Sequence, residues 1–163
     1  MLTRRQTVLG VSLTPFLPLL GAVTDSTKNA LSTSRLIYLT PIKSDGEESE
    51  CKGEIWFIYD GDDHVYVVTQ FDAWRANAIR QGLTSARIWV GEFGLWRNAG
   101  DSYRSAPELM LEGAIEDDPD AQDKVLTTMG GKYTDEWGVW GPRFREGLND
   151  DSRVMLRYRI VAV

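Results

Sequence analysis

Six short apolar stretches, set close together and punctuated by Gly, Asp and Pro, constrain this chain more than any other feature. They are Arg35–Thr40, Gly53–Tyr59, His64–Thr69, Ala86–Phe93, Leu109–Ile115 and Asp151–Val163. Each has the length and composition of a strand, and each is bounded by turn residues. Pro41 ends the first, and Asp60-Gly61-Asp62-Asp63 is a strong hairpin signal between the second and third. In the last, Val154, Leu156, Tyr158, Ile160 and Ala162 face one way, with Arg157 and Arg159 on the other side. Strands this short at regular spacing, with only two helical patterns inserted, predict a mainly β chain closed into a small barrel.

The first helical pattern follows directly on the third strand. Phe71, Trp74, Ala78 and Ile79 recur at the spacing of one buried face, with Asp72 as the expected N-cap and Gly82 as the stop. The second begins at Asp118-Pro119 with an acidic first turn and is expected to stop around Gly130-Gly131. Tyr133 to Gly147, with Trp137, Trp140 and Pro142, reads as an irregular lid or interface flap. Ser44 to Glu50 reads as a solvated hairpin tip, since it lacks the oxygen spacing of a calcium loop.

At 163 residues, 42% of them hydrophobic, the chain suits one domain with a real core. Met1 to Ala22 carries paired arginines, no acid, and an apolar run broken by Pro15 and Pro18. That run is too short for a confident membrane span, and Thr3-Arg4-Arg5-Gln6 resembles a twin-arginine export signal. An ordinary secretory signal, or an anchor if the leader is retained, is the alternative. The expected division is therefore a signal at 1–22, a Ser/Thr/Asn-rich linker at 23–33 and a domain at 34–163, with the product exported to the periplasm or beyond. Removing the leader takes the net charge from −6 to −8, which leaves no electrostatic footprint for nucleic acid.

Cys51 is the only cysteine and His64 the only histidine. One of each supplies neither an intramolecular disulfide nor a typical structural zinc site, and a Ser-His-Asp triad would have to use His64 at a strand start. Six tryptophans (56, 74, 89, 96, 137 and 140) exceed what a core of this size needs, so some are expected at a cavity or an interface. Packing alone would also account for them.

Arg75 lies in the first turn of the first helix and Arg80 near its end. A guanidinium there can hold an anionic oxygen such as a phosphate, although most arginines at strand–helix junctions are simply solvated. The order of elements across residues 34–163, together with Thr69-Gln70 and Arg75, resembles the pyridoxamine-phosphate-oxidase-like family, whose FMN-binding-like fold is a six-stranded split barrel. The resemblance implies that Thr69, Gln70 and Arg75 contact the phosphate and ribityl chain of flavin mononucleotide (FMN) or the deazaflavin F420. Trp56 and Arg80 are further candidate contacts. Ile55-Trp56-Phe57 and Val67-Val68-Thr69 would wall the ring. It also implies a homodimer and two-electron transfer to a small oxidised substrate, with no general acid or base assigned. Two positions depart from the pattern. Ala73 stands where a Ser is usual, and Trp74 where a basic residue is usual. Both remove phosphate contacts, which leaves open F420, haem or no cofactor. The alternatives are a non-catalytic barrel holding haem, deazaflavin or an apolar ligand, and a plain barrel whose tryptophans are all core.

Overall fold

A computed structural model describes residues 23–162; the leader reading of residues 1–22 falls outside them. The elements run α1 (Asp25–Thr33), β1 (Ile37–Pro41), β2 (Gly53–Ile55), β3 (Ile58–Tyr59), β4 (His64–Gln70), α2 (Trp74–Arg80), β5 (Ser85–Val90), α3 (Trp96–Ala99), β6 (Glu108–Glu116), α4 (Pro119–Lys132), α5 (Thr134–Asn149) and β7 (Arg153–Ala162). The strands form one antiparallel sheet in the order β2-β1-β5-β6-β7-β4-β3.

The two edges of that sheet are consecutive in sequence. Only Trp56 and Phe57 separate β2 from β3, so the sheet must curl until its edges meet. The stretch expected as one strand, Gly53–Tyr59, is thus broken in two, and among the described residues seven strands replace the expected six. The mainly β, curled architecture is as expected. Period-2 alternation fills the inside of the curl with Ile37 and Leu39 of β1, Val65 and Val67 of β4, Ile88 of β5, Leu109 and Leu111 of β6, and Leu156 and Tyr158 of β7. Outside the curl, Ile58, Val68 and Met155 pack beneath Val125 and Met129 of α4 and Phe144 of α5.

Among the described residues, five α-helices replace the expected two. The polar run read as a linker forms α1: Thr24 caps it by accepting from the Thr27 N–H, and Leu31 enters the core. Apart from the buried Thr27, its Ser, Thr and Asn residues cap the helix or are solvent-accessible, which composition alone does not distinguish from a loop. The stretch expected as a lid is α5, which runs through Pro142. Trp137, Gly141, Phe144 and Leu148 recur there on one face, and this apolar stripe outweighs the helix-breaking residues between them.

Likewise α4 does not stop at Gly130-Gly131. Its expected start holds, with Asp118 accepting from the Asp120 N–H. Gly130 serves close packing instead: a Cβ there would lie 2.7 Å from Nε1 of Trp137, and one on Gly141 would lie 2.7 Å from the same indole. The Trp137 ring therefore sits over two glycines, where α4 meets α5. Gly130→Ala is expected to destabilise by about 1–2 kcal/mol, since overpacking outweighs the better helix propensity of Ala. Denaturant unfolding at neutral pH checks this, and the more exposed Gly131→Ala, with nothing within 4 Å of its added Cβ, should not destabilise.

The Ser44–Glu50 tip is not uniformly solvated. The Glu48 carboxylate receives Arg104 at 2.8 Å, Lys52 at 2.8 Å and Arg87 at 3.0 Å, joining the tip to β5 and to a 3-10 turn at Ser102–Ser105. The Arg104 hydrogen bonds, against the cost of burial, hold Glu48 down at about 2 from its ordinary 4.5. A carboxylate with a depressed folded pKa contributes stability that is complete above the unfolded value and disappears as pH falls through the folded one. Glu48→Gln is therefore expected to cost on the order of 1 kcal/mol at pH 7, allowing for solvent screening. The gap to the wild type should close between pH 4.5 and pH 2, as read from unfolding curves at several pH values.

Candidate functional site at the junction of β4 and α2

Strand β4 carries the chain along β7 with Thr69 opposite Val154 and Gln70 opposite Arg153. The Phe71 N–H then donates to the Ser152 carbonyl, and the Ala73 N–H donates back to Gln70, which folds the chain into α2. The cap is Ala73, without a side-chain hydrogen bond, and not Asp72. The face turned inward is Ala76, Ala78 and Ile79, whose small alanines let α2 lie close against the sheet. Phe71 and Trp74, expected to be buried, are 48% and 41% exposed. Gly82 has φ +83°, as the expected stop requires.

Of the five residues singled out for the cofactor, Thr69, Gln70 and Arg75 share this junction. Thr69 is buried and Gln70 is exposed. Gln70 and Phe71 line an open depression of about 480 Å³ with Asp72, Asp151, Ser152 and Arg153. Arg75 turns its guanidinium toward the start of β2. Its Nη2 lies 3.9 Å from Cys51 Sγ and would lie 3.6 Å from a Cβ placed on Gly53. Its Nε is buried without a hydrogen-bond partner, and no carboxylate among the described residues pairs with the guanidinium. Burial pushes the fully buried Tyr158 phenol above its ordinary range, against the opposing field of Arg75.

Arg80, at the junction itself, and Trp56, away from it, are both already engaged by other side chains and backbone. Arg80 donates to the Phe71 carbonyl at 2.6 Å and to Asn77 Oδ1 at 3.0 Å, and lies 3.9 Å over the Phe71 ring. Trp56 stacks on Tyr133 at 4.3 Å and meets Trp140 and Phe144 edge-on. It therefore belongs to the layer beneath α5.

Sequence reasoning missed two neighbours of these residues. Cys51 beside Arg75 has no local signal, because 24 residues separate them. Tyr133, assigned to a lid, is wholly buried at the break between β2 and β3. Its hydroxyl accepts from the Phe57 N–H at 2.8 Å and donates to the carbonyl of Phe57 at 2.9 Å or of Arg35 at 3.0 Å. At the other end of β4, His64 lies between Asp60 and Asp63, where the donor atoms of the three fall within 4.8 Å of one another. Asp60 also accepts from the backbone N–H groups of Asp62 and His64, so the trio builds the expected hairpin turn.

No protein-family model matches this chain, and no curated sequence does. Solved structures do. The conserved hypothetical protein Rv2991 of Mycobacterium tuberculosis superposes with a TM-score of 0.56 at 19% identity, covering 91% of this chain and 90% of that one. HutZ, a heme storage protein of Vibrio cholerae, gives 0.56 at 13% identity, covering 85% and 89%. A putative 5-nitroimidazole antibiotic resistance protein of Bacteroides thetaiotaomicron gives 0.54 at 9% identity, covering 87% and 82%. The sheet that curls until β2 and β3 meet is of the split-barrel type, the fold this chain shares with these proteins.

Proposed function

We propose that this chain is an exported, homodimeric split-barrel oxidoreductase that holds FMN or F420 by its phosphate at the junction of β4 and α2 and acts on a small oxidised substrate. The observation that carries the reading is Arg75, a half-buried guanidinium with an orphaned Nε and no carboxylate partner among the described residues. Leaving such a cation unpaired costs free energy that an anionic ligand would recover. A phosphate fits that donor. Thr69 and Gln70 sit on the same junction as further donors, and the exposed Phe71 and Trp74 offer apolar surface to a flat ring or to a second subunit. The bound cofactor would supply two-electron chemistry, while the protein positions it and keeps its charged tail paired. Export by a twin-arginine route, which carries folded proteins, would let a cofactor made in the cytoplasm travel already bound.

A second reading, a non-catalytic barrel holding haem, deazaflavin or an apolar ligand, draws support from Ala73, which caps α2 without a side-chain donor, and from Trp56, whose ring is already packed. HutZ, a heme storage protein, has the same fold. One experiment separates the two. Purified protein is incubated with FMN, F420 or haem, and its visible spectrum is recorded before and after NAD(P)H or dithionite and then a quinone or nitro compound. Bound flavin or deazaflavin that is reduced and reoxidised supports the oxidoreductase. Redox-inert binding supports the second reading, and no binding of FMN or F420 refutes the first.

A further inference from the structure

Arg75 reaches from α2 to the chain just ahead of β2, where its Nη2 lies 3.9 Å from Cys51 Sγ. That thiol is half-buried, open to small reagents as well as to the guanidinium. A third polar group faces the pair. Tyr158, on the inward side of β7, is 1% exposed, and its hydroxyl has no hydrogen-bond partner among the described residues. The side chains whose fields reach that phenol are Arg75 and Cys51.

The cluster thus joins a cation with an orphaned Nε, a phenol O–H without an acceptor, and a thiol, which is a weak acceptor for either. What it lacks is an anionic oxygen. The acids flanking Cys51 in sequence do not supply one. Glu48 is held by Arg104, Lys52 and Arg87, Glu54 accepts the Trp96 N–H at 2.9 Å, and Glu50 forms no ion pair among the described residues. Oxidation of Cys51 would provide the missing group from within the chain. An oxygen carried on that sulfur toward Nη2 narrows the gap to the charge-assisted range of about 2.7–2.9 Å.

We propose that Cys51 is an oxidative modification site: a hydroperoxide converts its thiol to a sulfinate, which pairs with Arg75 and shuts that guanidinium to phosphate. Each of two steps breaks the O–O bond of one hydrogen peroxide, moves one oxygen to sulfur and releases the other as water. The sulfur gives up two electrons per step and the peroxide accepts them. The thiol becomes first a sulfenic acid and then a sulfinic acid, whose proton leaves to solvent. The sulfinate accepts from Arg75 and, on its second oxygen, can take the Tyr158 O–H. The exclusion of phosphate rests on Arg75 being the phosphate donor; the modification itself does not.

The full chain is treated with hydrogen peroxide until the Cys51 peptide carries two added oxygen atoms by mass. Cys51→Ser, treated alike, accounts for oxidation of the methionines. Oxidised wild type should unfold at a higher urea concentration than reduced wild type, and peroxide should give no such gain in Cys51→Ser or in Arg75→Met. Oxidised wild type should also bind FMN at least about 10-fold more weakly than reduced, as read by fluorescence quenching. If reduced wild type binds no FMN, the cofactor reading falls, and the urea comparison still decides the modification. A Cys51 that resists peroxide, no gain in wild type, an equal gain in Arg75→Met, or FMN affinity unchanged by oxidation would overturn the proposal.

Discussion

Tyr133→Phe is expected to destabilise the protein by about 2–4 kcal/mol, a large effect for the loss of one oxygen atom. The ring would remain, still stacked on Trp56, and no cavity would form. What disappears is the hydroxyl that takes the Phe57 N–H and donates to the carbonyl of Phe57 or of Arg35. Phe57 lies between two strands that pair with opposite ends of the sheet, so no ladder partner replaces that hydroxyl. The side chain is wholly buried, which denies the orphaned groups water. An orphaned buried donor costs about 1–3 kcal/mol, and the carbonyls add less because Lys132 still reaches one of them. Chemical denaturation of both proteins measures the difference. A loss below about 0.5 kcal/mol would mean that water or a backbone shift satisfies Phe57 without Tyr133.

That hydroxyl also marks the limit of what the sequence reveals. The alternation of Val65 and Val67, or of Leu109 and Leu111, is local information, and the strands it implies are present. The break at Trp56-Phe57 is not local. Gly53–Tyr59 reads as one apolar strand, and only the closure of the sheet forces it to leave one edge and join the other. The helix α5 was hidden for a related reason. Gly138, Gly141 and Pro142 argue against a helix when read singly, but Gly141 is required by the Trp137 ring that packs against it. Around the candidate site, the run from β4 into α2 and the stop at Gly82 were legible. The rotation of α2 was not, because Phe71 and Trp74 have the spacing of a core face and nevertheless lie on the surface, while Ala76 and Ala78 pack inward. Hydrophobicity ranks the large residues first, whereas the close approach of a short helix to a sheet selects the small ones.

Arg75→Met should move stability and ligand binding in opposite directions. Without ligand, the variant is expected to gain about 1 kcal/mol, because a thioether of similar length replaces a half-buried cation that has a weak sulfur contact and an orphaned Nε. With ligand, it should lose a charge-assisted pair to phosphate worth about 2–3 kcal/mol, roughly a 30- to 150-fold rise in Kd for FMN or F420. Quenching of the isoalloxazine or deazaflavin fluorescence measures the second effect, and denaturant unfolding of the ligand-free protein measures the first. A purely structural arginine would give the opposite sign for stability, since Met cannot reproduce its polar contact with Cys51. Gain of stability together with loss of affinity is the signature of a residue kept for what it binds at some cost to the fold. Unchanged affinity for both cofactors would place the phosphate grip elsewhere and leave the orphaned guanidinium of Arg75 without a ligand to explain it.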